Sequence, residues 1–295
     1  MFGFKKKKKE ERPVNGTPGT AVKMLSNAFM KDISTVSFFV NSFPEGTYCP
    51  DFPSAYADGS EIDAAAASEA LRSLLRVQRL ETVTISGGDP AESLDAVMQI
   101  LDAASVFNVD KRIVYFNARP DIKESIDRLA GKPTAVVIRA GGDGCLTSGE
   151  AKELEDRGIS VYVDYREGEK PVENVHGIPD ELHERICSAG GPVPASPDMS
   201  EPCGTAPGTK RPDRPSRIYV GPKGDVRVCG FPIGNINEQD LLTIVESYDP
   251  YASPIISMIL ESGCPAGLAS LGLPQGPCLS RACDVCRAAA LKYCG

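Results

Sequence analysis

A parallel α/β fold with a small cysteine-rich α+β unit at its C-terminus is what this sequence predicts. Two observations predict it: from residue 33 onward, short apolar runs suited to buried strands alternate with stretches of helical periodicity, and seven of the ten cysteines lie between Cys203 and the C-terminus. Strand–helix alternation forces neighbouring strands to run parallel through right-handed crossovers, which leaves either a doubly wound sheet or an open barrel.

The elements follow in order. Val36–Val40 is an apolar run for a strand buried on both faces, and Ile62–Leu80 carries Leu71, Leu74, Leu75 and Leu80 at helical spacing. Then come Thr82–Ile85 as strand, Leu94–Leu101 as helix, Arg112–Phe116 as strand and Ile122–Leu129 as helix. Ala135–Ile138 as strand, Ala151–Arg157 as helix and Ile159–Val163 as strand complete the alternation. Functional loops of such folds gather at the C-terminal ends of the strands. Prolines and glycines then crowd the chain up to Pro215. Beyond them Arg217–Val220 and Val226–Val228 flank Gly221-Pro222-Lys223-Gly224-Asp225, a hairpin signal. Helices are expected at Asp240–Tyr248 and Pro254–Leu260. The chain therefore divides into a flexible basic tail and lead-in (1–32), a partial (β/α) unit (33–189), a Pro/Gly-rich linker (190–215) and a cysteine-rich unit (216–295).

Composition excludes several classes. A net charge of −8 and a pI near 5.0 argue against a nucleic-acid groove, which needs a concentrated basic surface. The Lys5–Lys9 block is followed at once by Glu10, Glu11 and Arg12 and reads as a solvated end, neither signal peptide nor membrane anchor. No apolar run is long enough to span a bilayer, and a cytoplasmic location is expected. In a reducing compartment ten cysteines point to metal or redox chemistry rather than disulfides.

The sharpest local element is Cys283-Asp284-Val285-Cys286, because two intervening residues let one turn present both thiolates to a metal. Cys229 closes the expected hairpin and Cys203 lies in the loop feeding it. Zinc and iron–sulfur centres both accept four thiolates in tetrahedral geometry, so spacing leaves both open. At the other end, Ser86-Gly87-Gly88-Asp89-Pro90 follows a buried strand. The paired glycines expose backbone to a ligand, and Asp89 adds a carboxylate for a cation. Asn117, Arg119, Arg139 and Asp164 are further polar residues at expected strand ends. His176 and His183 are the sole histidines, and His183 lies in a charged stretch that reads as an exposed helical face.

Cys203-Gly204, the run Arg217 to Cys229 with Gly224 inside it, and Gly234-Asn235-Ile236 resemble the SPASM or twitch extension of radical SAM enzymes. The resemblance implies a partial parallel barrel of radical SAM type with a SPASM-like cap, a [4Fe–4S] cluster (one, or two in the seven-cysteine form), and S-adenosylmethionine (SAM) as a ligand. It implies Cys203, Cys229, Cys283 and Cys286 as ligands of the auxiliary cluster, and Cys264, Cys278 and Cys294 as candidates for a second. Thr84 to Pro90 is similar to the family's strand-end turn that contacts the SAM amino group, and a peptide or protein is the implied substrate or partner. One departure is large. The loop after the first strand, Asn41 to Pro53, holds Cys49 alone where the family has a C-x3-C-x2-C motif, and one thiolate cannot hold a [4Fe–4S] cluster. Cys49, Cys145 and Cys187 read better as inert thiols than as an assembled site. The expected function is that of a radical SAM/SPASM-like iron–sulfur protein. The alternatives are a non-catalytic electron-transfer or scaffold subunit and a zinc-stabilised binding module.

Overall fold

The computed structural model describes residues 25–42, 59–139, 146–163, 176–177 and 211–262. They form nine strands and six α-helices: β1 (Thr35–Phe39), α1 (Ala64–Leu75), β2 (Thr82–Ser86), α2 (Leu94–Val106), β3 (Lys111–Asn117), α3 (Ile122–Arg128), β4 (Ala135–Arg139), α4 (Ser148–Asp156), β5 (Ser160–Val163), β6 (His176–Gly177), β7 (Arg217–Val220), β8 (Asp225–Val228), β9 (Phe231–Asn235), α5 (Leu241–Ser247) and α6 (Pro254–Ser262). All nine strands belong to one sheet, ordered β6-β5-β4-β3-β2-β1-β7-β8-β9.

β1 to β6 are parallel and stand in sequence order. A doubly wound sheet reverses its strand order at a switch point; none occurs among β1 to β6, and only β7 returns to the far side of β1. With right-handed crossovers, monotonic order puts every connecting helix on one face, as in a partial barrel. The packing agrees. Val36, Phe38, Val83, Ile85, Val114, Phe116, Val136 and Ile138 join one buried cluster with Leu71 and Leu74 of α1, Ile100 and Leu101 of α2, Ile126 of α3 and Leu154 of α4. The mixed α/β fold with a mostly parallel sheet is the one the sequence predicts.

Element ends differ from expectation for local reasons. α1 starts two residues later than Ile62 because Asp63 caps it, its carboxylate accepting the Ala66 N–H at 2.9 Å. α2 runs on past Leu101 to Val106 because Ala103 and Ala104 still face the core. α4 begins at Ser148 behind a capping box, in which Thr147 and Glu150 satisfy each other's backbone N–H groups. β9 was not expected, since Pro232 and Gly234 weaken a strand signal. At the outer edge of the sheet, opposite a register shift in β8, both are tolerated.

The hairpin beyond the linker continues the same sheet. β7 pairs parallel with β1 from Thr35↔Arg217 to Phe38↔Val220, and β8 and β9 add antiparallel strands beyond it. α5 covers them, with Leu241, Ile244 and Val245 buried against the common core. The lead-in fastens to the end of α5: Asn27 Nδ2 donates to the carbonyls of Val245 and Tyr248, both at 2.8 Å, and so satisfies helix-end acceptors.

The sheet face turned from the helices differs in chemistry. Ser37 and Thr84, in register, share a 2.7 Å hydroxyl hydrogen bond, and Ser86 is fully buried one step further up β2. Ile113, Tyr115, Ala135, Val137 and Tyr162 form the apolar part of this wall, and Phe39 and Tyr219 meet with ring centroids 6.0 Å apart.

Leu71→Ala is expected to destabilise the protein by about 2–5 kcal/mol, because it empties a fully buried position between helix and sheet. Chemical denaturation followed by circular dichroism checks it.

Candidate functional site

The strand C-termini converge on the Gly-Gly-Asp-Pro turn. Asn41 follows Val40 at the end of β1 and is 2% exposed. Its Nδ2 donates to Asp89 O at 2.6 Å and Ser93 Oγ at 2.7 Å, its Oδ1 accepts the Asp89 N–H at 2.8 Å, and its backbone carbonyl accepts the Gly88 N–H at 2.9 Å. From the other side Asn117, last residue of β3, donates from Nδ2 to Gly88 O at 2.5 Å. Two carboxamides thus grip the turn between β1 and β3.

Gly87 is required by this approach. Its φ is +153°, and a Cβ there would lie 2.9 Å from Asn41 O and 3.1 Å from Asn41 Oδ1. The first contact is shorter than real Cβ atoms show and the second is tight, and the backbone partner cannot swing away. Just before it, Ser86 Oγ is buried without a hydrogen-bond partner. A buried hydroxyl left unpaired costs about 1–3 kcal/mol.

Asp89 is turned toward its own loop and toward Arg119. Oδ1 accepts the Ala91 N–H at 3.2 Å, which caps the 3-10 turn Pro90–Ser93, and Oδ2 accepts from Arg119 Nη1 at 3.1 Å. Arg119 also holds Glu92 at 2.7 Å and Asp121 at 2.5 Å, so one guanidinium faces three carboxylates and the rim keeps an anionic excess. The hydrogen bonds that Arg119 donates to Asp121, then to Glu92, push its pKa up. Burial pushes the Asp89 carboxyl above the usual carboxylate range, and outweighs the Ala91 N–H and the Arg119 charge, which pull it down.

Of the strand-end residues expected from sequence, Gly87, Gly88, Asp89, Asn117 and Arg119 come together here. Arg139 is in register with Asn117 on β4. Asp164 lies outside the described residues. Asn41, Ser86 and Ser93 escaped the sequence reading as site residues, since a single Asn after a strand, or a Ser within one, carries no periodic or spacing signal.

A second corner is built around Cys229. Val228 pairs with Phe231, so Cys229-Gly230 is a two-residue hairpin turn, and both residues have positive φ, 50° and 87°. Such turns favour Asn-Gly; a cysteine in the left-handed region costs about 1–2 kcal/mol. Beneath it Arg227, 5% exposed, donates to Gly230 O at 2.9 Å and pairs with Asp225. Burial, then the neighbouring Cys229 and Asp213, raises the pKa of Tyr248, whose hydroxyl donates to Pro212 O at 2.8 Å. The Pro212 loop, reached from the Cys203 side, therefore lies beside the Cys229 turn.

The other motif residues here are structural. Asn235 and Asn237 donate from Nδ2 to Lys223 O at 3.1 and 3.0 Å, crowding Gly224 so closely that a Cβ would meet them at 2.6–2.7 Å. Cys203, Cys264, Cys278, Cys283, Cys286 and Cys294 lie outside the described residues, as do Cys49, Cys145, Cys187 and His183. Among the described residues no group of three or more His, Cys, Asp or Glu could hold a metal ion. None of the described helices is long and apolar enough to cross a membrane.

Gly87→Ala is expected to cost about 1–3 kcal/mol through the clash with Asn41. Equilibrium unfolding reads the loss. The Asp89 carboxyl should titrate above the usual carboxylate range, and Arg119→Gln should raise it further by removing an attraction; carboxyl-resolved NMR measures both. A folded-state pKa above the unfolded one means that the native protein holds its proton longer. The Asp89 contribution to stability therefore falls as pH rises from the ordinary carboxylate value through the raised one, and Asp89→Asn abolishes that slope.

No protein-family model and no curated protein matches the sequence. Several solved structures are similar in structure. BtrN in complex with AdoMet and 2-DOIA is similar at a TM-score of 0.47 and 16% identity, over 86% of this chain and 92% of BtrN. Streptococcus suis SuiB bound to S-adenosylmethionine is similar at a TM-score of 0.42 and 16% identity, over 78% of this chain and 68% of SuiB. SuiB bound to its precursor peptide SuiA is similar at 0.39 and 14%, over 78% and 67%. Likeness at this level leaves the chemistry to be argued from the residues themselves.

Proposed function

We propose that this chain is a radical SAM/SPASM-like iron–sulfur protein that binds SAM at the C-terminal rim of its partial barrel and acts on a peptide or protein in the cytoplasm. The observation that carries the proposal is the turn Gly87-Gly88-Asp89-Pro90, gripped by Asn41 and Asn117 at the ends of flanking parallel strands. It stands where the resemblance puts the contact with the SAM amino group. The residues fit such a ligand: Ser86 Oγ is a buried hydroxyl awaiting a partner, and Asp89, Glu92 and Asp121 outnumber Arg119, an electrostatic bias toward a cationic group.

Cys229 fits a metal-ligand role. A residue that strains its turn by sitting at φ 50° has a reason other than the turn to be cysteine. With Cys203, Cys283 and Cys286 it would hold the auxiliary [4Fe–4S] cluster, leaving Cys264, Cys278 and Cys294 for a second. A cluster so placed supplies one-electron chemistry whose potential depends on burial and hydrogen bonds to sulfur. The Arg227–Gly230 bond fixes the Cys229 turn, and the rim residues orient SAM.

A second reading has its own observation. Cys49 is the one cysteine in the loop after β1, too few thiolates for a SAM-cleaving cluster. A non-catalytic scaffold or electron-transfer subunit would keep the C-terminal cluster and the SAM-shaped rim without cleaving SAM.

Protein purified without oxygen should be brown, with stoichiometric iron and sulfide; colourless zinc protein would overturn the iron–sulfur assignment in favour of a zinc-stabilised module. Cys283→Ser should lower metal content. Cys229→Asn should do the same, while relieving up to about 1 kcal/mol of turn strain in metal-free protein, seen as a higher unfolding midpoint. Formation of 5′-deoxyadenosine from SAM after reduction selects the enzyme; SAM binding with an intact cluster and no 5′-deoxyadenosine selects the scaffold.

A further inference from the structure

The Asn41 carboxamide reads the ligand turn at every polar atom it has. Both Nδ2 protons are used, on Asp89 O and Ser93 Oγ, and Oδ1 takes the Asp89 N–H. The Asn41 main chain adds the bond from Gly88 N–H. Three successive residues, Gly87, Gly88 and Asp89, are thus set by one residue of a neighbouring strand: the first by steric exclusion of a Cβ, the other two by hydrogen bonds. Asp in this place would keep the acceptor and lose both donors. Ala would lose all three side-chain bonds.

We infer that Asn41 is the positioning residue of the ligand turn: it fixes the peptide planes of Gly88 and Asp89, and so the direction in which the turn meets the amino-acid end of SAM. The inference rests on the reading of the rim as a SAM site. A capping role confined to stability would leave ligand selectivity alone. Positioning affects one part of the ligand and spares the rest.

The test compares two probes on the full-length chain purified without oxygen: SAM, and 5′-methylthioadenosine, which keeps the adenosine and sulfur but lacks the amino-acid end. Equilibrium dialysis is run on wild type, Asn41→Asp and Asn41→Ala, with circular dichroism and thermal melting to show that each is folded. Both variants should bind SAM at least about tenfold more weakly, the scale of one or more lost positioning bonds, with 5′-methylthioadenosine affinity within about twofold of wild type. Should Asn41→Ala not fold, the near-isosteric Asn41→Asp carries the comparison. Ser93→Ala, which removes one acceptor of the three side-chain bonds, should give a smaller loss. SAM affinity unchanged in folded Asn41→Asp overturns the inference, and so does parallel weakening of both probes. A wild-type chain that binds no SAM overturns the reading of the rim itself, and the inference with it.

Discussion

Parallel pairing of β1 on both sides is the constraint on which the rest of the molecule depends. All five of its residues are buried, and it is held by β2 along one edge and β7 along the other. A strand with both edges paired cannot slip in register without turning its Val36 and Phe38 out of the helix-covered core. Its end is therefore a fixed point. Asn41, two residues past β1, inherits that fixity and passes it to the turn after β2.

The same pairing explains why the hairpin is not an independent appendage. β7 enters the sheet beside β1, on the side away from β2, so the chain between Gly177 and Arg217 connects one edge of the parallel sheet to the other flank of β1. The Cys229 turn is consequently built on the sheet that carries the rim. Both candidate centres rest on rigid strands, with Arg227 and Asp225 bracing one and Arg119 with its three carboxylates the other. Sites on strands hold geometry better than sites on loops.

Polarity divides the two faces of the sheet. The helix side is continuous hydrocarbon, whereas the opposite side of β1 and β2 carries Thr35, Ser37, Thr84 and Ser86, all buried. Hydroxyls in strand interiors lower stability unless paired, and Ser37 and Thr84 pair with each other while Ser86 does not. The buried, unpaired Ser86 hydroxyl stands next to the turn where a ligand is proposed, which is where proteins accept such a cost.

The sequence alone determined the course of the chain. Strands such as Ala135–Ile138 are read directly, because burial on both faces demands uninterrupted apolar residues, and their alternation with helices demands parallel pairing. It also pointed to the turn at Gly87-Gly88 by its place one βα unit after the first strand, since a Gly-Gly pair leaving a strand is by itself more often plain loop geometry. Tertiary structure decided what no local pattern encodes: the monotonic order of β1 to β6 that puts their helices on one face, the union of β7 with β1, β9 despite its Pro232, and the grip of Asn41. Periodicity reports which face of an element is buried. It does not report which element lies opposite, and a hydrogen bond spanning 48 residues, as from Asn41 to Asp89, exists only once the strands have paired.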